Sequence, residues 1–170
     1  MQDGIPPDAR NESRACADEN RERPMNVIEK LVAIEEIKCL KAKYCRVMDE
    51  KKWQEWRDIF TPDSKMLVPE VKERPEIVGV DAIIDFIIPL LDSAVTVHHL
   101  HAPEIEIISD TEATGIWALD DTLSWSADRT GTYGWTKLRG AGHYREKYVK
   151  TDKGWRIAEL LLTRLYIDRS

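Results

Sequence analysis

Residues 113–125 read ATGIWALDDTLSW. Apolar and polar residues alternate along this stretch, which is the period of a β-strand covered on one side. One face carries Ala113, Gly115, Trp117, Leu119, Asp121, Leu123 and Trp125; the other carries Thr114, Ile116, Ala118, Asp120, Thr122 and Ser124. The apolar set must face a core. Asp121 then falls between Leu119 and Leu123 on the buried face, whereas Asp120 points to solvent. A buried carboxylate requires an ion-pair or hydrogen-bond partner, or a proton, because an unpaired charge away from water costs too much. A bulge in the strand would instead turn Asp121 outward.

Strands are expected on either side of this one. Val95–His101, Ile105–Ile108, Trp135–Lys150 and Trp155–Ile167 read as strands, with residues 151–154 (TDKG) as a hairpin connection. Upstream the period changes. Val27, Ile28, Leu31, Ile34, Ile37, Leu40, Tyr44 and Val47 recur at three or four residues and predict a helix ending near Asp49. Asn26 is its expected cap, with Glu29 three residues on. A second helix is expected over Trp53–Phe60, ended by Pro62, and a strand over Lys65–Val71. A charged turn over residues 72–75 leads to a short strand, Glu76–Val78. A third helix follows over Val80–Leu91, bent or ended by Pro89. Helices first and antiparallel strands afterwards make an α+β fold with the helices on one face of the sheet.

The chain has 170 residues, a length that fits one domain with a real core. Residues 25–170 are expected to form it. Residues 1–24 hold three prolines, six acids and four arginines with little apolar content, and read as a charged, solvated N-terminal arm. Acidic residues outnumber basic ones by 31 to 25, for a net charge of −6. That balance argues against a nucleic-acid partner, which demands a basic stripe. The longest apolar run, Ile83 to Leu91, is broken by Asp85 and Pro89 and is too short for a membrane span. No apolar segment follows a basic start, and the three cysteines (Cys16, Cys39, Cys45) are few and odd in number. A reduced cytoplasmic setting is therefore expected.

Three features suggest chemistry. Asp121 is the first. The second is the run His98-His99-Leu100-His101, in which His98 shares a face with Thr96 and Leu100, and His99 with His101. Histidine is the usual proton shuttle near neutral pH. A metal reading would have His99 and His101 converge on one ion, but no third ligand has suitable spacing, so no metal is expected. The third is the end of the first helix, where Tyr44 lies on the apolar stripe and Asp49 meets the unfavourable end of the helix dipole. A tyrosine, two carboxylates and a histidine around an apolar hollow make an acid–base set without a nucleophile. Neither a phosphate-binding Gly-rich loop nor a serine elbow is present, and no cofactor is expected. Trp117 and Trp125, on the face of Asp121, are candidates to wall a flat substrate.

Several motifs also resemble the SnoaL-like branch of the NTF2-like (cystatin-like) superfamily. They are Ile34-Glu35-Glu36-Ile37 through Leu40 to Tyr44, then Asp49, Trp53 and Ile59-Phe60. Ile77-Val78-Gly79, His98 with His101, Pro103 and Ile105, and Ala113-Thr114-Gly115 with Trp117 continue the match. Gly142, Tyr144, Tyr148, Gly154-Trp155-Arg156-Ile157 and Arg164 complete it. The resemblance spans about residues 27–167 and implies a cone, a strongly curved antiparallel sheet wrapped around three helices with a pocket inside. Within the branch the nearest likeness is to the bile acid 7α-dehydratases, with scytalone dehydratases and hexachlorocyclohexane dehydrochlorinases further off. By local motif, Tyr44, Asp49, His98 and Asp121 match the proposed catalytic groups of the bile acid enzymes, which favours His98 among the three histidines.

What the resemblance implies is a cofactor-free β-elimination, most simply dehydration, beside a carbonyl or enone of a hydrophobic substrate that is steroid-like or aromatic. His98 takes the proton. Asp121 is the favoured partner of the imidazole, with Asp49 as the alternative. Tyr44 donates to the developing oxyanion or to the leaving hydroxyl. His99 and Arg164, with the two tryptophans, are candidate substrate contacts; Arg164 pairs either a substrate carboxylate or a structural acid. The rival readings are a double-bond isomerase of the ketosteroid type, elimination of another leaving group such as halide or formaldehyde from an aryl compound, and a non-catalytic small-molecule-binding module. A homo-oligomer, dimer or trimer, is expected from the family, with no membrane partner.

Overall fold

The computed structural model describes residues 24–69, 76–129 and 134–170. Apart from Pro24, the expected arm lies outside the described residues, as does the charged turn over 72–75. The architecture is α+β. Three helices, α1 (Val27–Asp49), α2 (Trp53–Arg57) and α3 (Val80–Leu91), accompany six strands. The strands are β1 (Phe60–Leu67), β2 (Glu76–Val78), β3 (Val95–Ile107), β4 (Glu112–Ser124), β5 (Lys137–Thr151) and β6 (Gly154–Arg169). Their order across the single sheet is β2-β1-β6-β5-β4-β3.

Helix α1 starts where the capping signal stands. The Asn26 side chain accepts from the Glu29 amide at 2.9 Å, and Glu29 Oε2 accepts from the Asn26 amide at 2.7 Å. It stops at a Schellman turn. The Lys52 amide donates to Val47 O and the Lys51 amide to Met48 O, with Lys51 in the left-handed region at φ 59°. This stop fixes Asp49 as the last helical residue. The apolar stripe is only partly covered: Ile37, Tyr44 and Val47 are buried, while Val27, Ile28 and Leu31 near the start are exposed. Lys41 is buried instead, drawn inward by an acid on β5 that is described below.

Four expectations about the elements are corrected. Helix α2 ends at Arg57 and the chain enters the sheet at Phe60, because Ile59 O already accepts from the Ile157 amide of β6. Pro62 therefore lies inside β1, at the irregular stretch between Phe60 and Lys65 where the pairing register shifts and no ladder amide is demanded of it. β1 runs parallel to β6, so the sheet is not wholly antiparallel. The two strands expected over 95–108 are one strand, β3, continued through a bulge between Leu100 and Pro103. β5 and β6 carry further bulges, which bend strands and raise their local twist. Helices and sheet enclose a core in which Ile37, Val47, Trp56, Ile83 and Ile157 have no exposed surface.

The faces of β3 and β4 are those read from the alternation. Thr96 and His98 point inward and His99 outward; Trp117, Leu119, Asp121 and Leu123 are buried, with His98 directly opposite Asp121 in the register.

Candidate active site

The end of α1 abuts the inner face of β3. Asp49 Oδ1 lies 2.6 Å from His98 Nδ1, and its Oδ2 accepts from the His98 amide at 3.0 Å. Thr96 Oγ1 donates to Asp49 Oδ1 at 2.8 Å and itself accepts from Lys51 Nζ at 2.7 Å. Burial pushes the Asp49 carboxyl up, but the side-chain and backbone hydrogen bonds from His98 and the bond from Thr96 more than offset it. The net effect is a pKa below the ordinary aspartate value. Nδ1 therefore carries the proton it donates to this carboxylate. In the neutral ring Nε2, on the other side, is then the unprotonated nitrogen.

Asp121 is held by a different partner. Arg164 of β6 grips it in a two-pronged pair, Nη1 to Oδ1 at 2.8 Å and Nη2 to Oδ2 at 2.6 Å. His98 Nε2 stands 3.9 Å from Asp121 Oδ2, beyond hydrogen-bond range but close enough for charge to act. The expectation that Asp121 orients the imidazole is corrected: Asp49 does so, because α1 delivers its carboxylate to Nδ1 while Arg164 already occupies Asp121. Gly140 makes room for the pair. It faces Asp121 across β4 and β5, and a Cβ there would lie 3.0 Å from Arg164 Nη1 and 3.2 Å from Asp121 Oδ1.

A second charged network lies beneath the tyrosines and was not anticipated from the sequence. Lys41 and Glu146 are fully buried and paired at 2.5 Å. The Lys41 ammonium sits 3.6 Å from the Tyr44 ring centre and 3.8 Å from that of Tyr144. Glu146 also accepts from the Tyr148 hydroxyl, which takes a hydrogen bond from Trp117 Nε1 at 2.8 Å. The signal available in the sequence was a lysine on the inner face of a helix and a glutamate in the alternating buried set of β5. Burial, followed by the neighbouring charges, holds the Tyr44 phenol well above its ordinary pKa, so it stays protonated and able to donate. Burial pushes the Cys45 thiol up to about 11, which leaves it inert as a nucleophile near neutral pH.

These groups border an apolar cavity of about 310 Å³, at the lower end of the range typical of small-molecule sites. Tyr44, His98, Asp121, Trp125 and Arg164 line it, as does Tyr144, which was not singled out from the sequence. Asp49 lies behind His98, out of the lining. Two candidates are placed elsewhere. His99 is on the outer face of the sheet, where it and His101 flank Asp120 at 3.2 and 3.0 Å. Trp117 is spent on the Tyr148 hydroxyl inside the core. The two departures have different causes: His99 is one residue off the inner set and points outward, while Trp117 points inward but lies four residues down the strand from Asp121. Among the described residues no group of three or more His, Cys, Asp or Glu is disposed to hold a metal ion. Among them also, no helix is long and apolar enough to cross a membrane.

The model of the SnoaL-like domain family matches residues 29–160. "Probable cyclase FGR4" of Gibberella zeae is 27% identical over 134 residues, which covers 74% of this chain and 87% of the relative. Solved structures share the fold. "Putative Scytalone Dehydratase" of Novosphingobium aromaticivorans superposes with a TM-score of 0.74 at 19% identity, covering 85% of this chain and 92% of the other. Hexachlorocyclohexane dehydrochlorinase LinA-type3 of Novosphingobium barchaimii does so with a TM-score of 0.68 at 14% identity, covering 85% and 94%.

Proposed function

The chain belongs to the SnoaL-like domain family, and from that premise we propose that it is a cofactor-free lyase. It removes water from a hydrophobic substrate, at the carbon next but one to a ketone or enone carbonyl. The observation that carries this reading is the His98 imidazole, with Nδ1 on Asp49 at 2.6 Å and the ring lining an apolar cavity. A base in a dry hollow, with its tautomer set from behind, suits proton abstraction from carbon.

In the proposed step, His98 Nε2 takes a proton from the carbon beside the carbonyl. The electron pair of that C–H bond moves toward the carbonyl oxygen, which the neutral Tyr44 hydroxyl stabilises as donor. The pair then returns to form the C=C bond as the C–O bond to the leaving hydroxyl breaks. The imidazolium Nε2–H gives its proton to that oxygen, and water departs. Asp49 and the nearby Asp121 steady the imidazolium while it exists. General acid–base help of this kind is worth about 10²–10⁴-fold.

The name of the Gibberella zeae relative favours one second reading. The same base, forming the same enolate, would start an intramolecular C–C bond closure in a cyclase. Product mass separates the two. Purified protein is incubated with a panel of hydroxyketones on aromatic, polycyclic and steroid frames and followed by mass spectrometry. Loss of one water that is abolished in His98→Ala is the expected result. A rearranged product of unchanged mass would favour cyclisation or isomerisation, and elimination at the wild-type rate by His98→Ala would overturn the assignment of the base.

A further inference from the structure

We propose that the open end of this cavity is an anion subsite, in which Arg169 binds a carboxylate of the substrate remote from the reacting carbon. The proposal rests on the reading of the cavity as a substrate site and adds the substrate's class, a keto acid on a ring framework.

Alternation along β6 would send Arg164 and Arg169, five residues apart, to opposite faces. They share a face because of a bulge. Gly142 pairs with Arg164 while its neighbour Ala141 pairs with Tyr166, so Leu165 is the extra residue. Leu160, Leu162 and Arg164 line the cavity before the bulge, and Ile167 and Arg169 line it afterwards. Gly142 permits the irregularity: a Cβ there would lie 2.1 Å from the Thr163 carbonyl oxygen. Bulges beside active sites commonly re-aim a side chain.

The side chain re-aimed is a cation with no acid beside it among the described residues. Among the described residues the Arg169 guanidinium has no ion pair or hydrogen bond; it lies 5.6 Å over the Trp135 ring. A cation–π contact of this kind engages none of the guanidinium N–H donors, which keep the fork that matches a carboxylate. Trp135 is in turn packed edge-on against Trp125, 5.1 Å between centres, so a rigid aromatic corner holds the cation at the rim. The other arginine in the lining, Arg164, has its fork engaged by Asp121 and does not offer the same service.

The chain carries a net charge of −6, so its overall field disfavours an anion, and a local cation is what would admit one. Five residues of strand place the two arginines roughly 15 Å apart along the backbone. Arg164 grips Asp121, which stands 3.9 Å from His98, so the acid bound farther along β6 at Arg169 is taken as a different group from the carbonyl beside His98.

Quenching of tryptophan fluorescence by 2-naphthoate and by its neutral analogue 2-naphthamide tests the subsite without turnover. The wild-type protein is expected to bind the acid about tenfold tighter at low salt, the effect of one charge-assisted pair. High salt and Arg169→Gln should each erase the preference, and Arg169→Lys should keep part of it. Equal affinity for acid and amide, a preference that survives Arg169→Gln, or no quenching by either probe would overturn the proposal. Failure of the lyase reading alone looks different: no hydroxyketone loses water, yet the preference for the acid remains.

Discussion

Asp49 Oδ1 and His98 Nδ1 are 2.6 Å apart, across the junction between the last residue of a helix and the inner face of a strand. The bond favours the imidazole proton on Nδ1, and Nε2 is the nitrogen that the proposed elimination uses as base. Replacing Asp49 by Asn removes this preference, since an amide donates to Nδ1 as readily as it accepts. Elimination should then fall by about 10⁴-fold, as a wrong tautomer costs in other His-based sites. Nitrogen NMR of the His98 ring checks the cause directly: Nδ1 protonated in the wild type, a mixture of tautomers in the variant.

The same bond makes stability depend on pH. The folded Asp49 pKa lies below its ordinary 3.8, since its hydrogen bonds outweigh burial. A depressed carboxylate contributes stability that is present above the unfolded value and is lost as pH falls through the folded one. The melting temperature of the wild type should therefore exceed that of Asp49→Asn near neutral pH, with the gap closing below about pH 4. A gap unchanged down to pH 2 would show that the Asp49 charge does not stabilise the fold.

Lys41 and Glu146 form an ion pair with no exposed side-chain surface. Removing one member strands the other, so Lys41→Met should cost about 3–5 kcal/mol in urea unfolding. The double variant Lys41→Met, Glu146→Gln should recover much of that loss, because no charge is left without a partner. Because Lys41 also stacks on Tyr44 and Tyr144, the single variant should change near-ultraviolet circular dichroism even where it folds.

Gly140 gives the Arg164–Asp121 pair its space. In Gly140→Ala the added methyl meets Arg164 Nη1, Asp121 Oδ1 and the Tyr166 carbonyl, all within 3.2 Å. Such crowding costs about 1–3 kcal/mol and should splay the pair. A crystal structure of the variant, with unfolding curves, checks both effects; a pair of unchanged geometry would show that the strand yields instead.

Much of the fold was legible because it follows from local rules. The Asn26 and Glu29 capping box, the span of α3 and the buried face of β4 all follow from spacing within a dozen residues or so. Burial of Asp121 was legible for the same reason, since a period of two allows one face only. Where locality failed, the elements were misread. Pro62 resembled a helix stop, but long-range pairing of Phe60 with Ile157 had already ended the helix. Lys41 was not singled out from the sequence, because only the approach of Glu146 from 105 residues away makes its burial tolerable.

Apart from the family resemblance, which favoured His98, the sequence by itself determined the order of helices and strands, the inward set on β4, and which residues of β3 share a face. Those properties are periodic, and periodicity is written in adjacent residues. Only the tertiary structure decided which acid serves the imidazole and which arginine is without an acid among the described residues. Both depend on where distant segments meet: the end of α1 against β3, Arg164 against Asp121, and a single extra residue at Leu165 that reverses the parity of everything after it on β6.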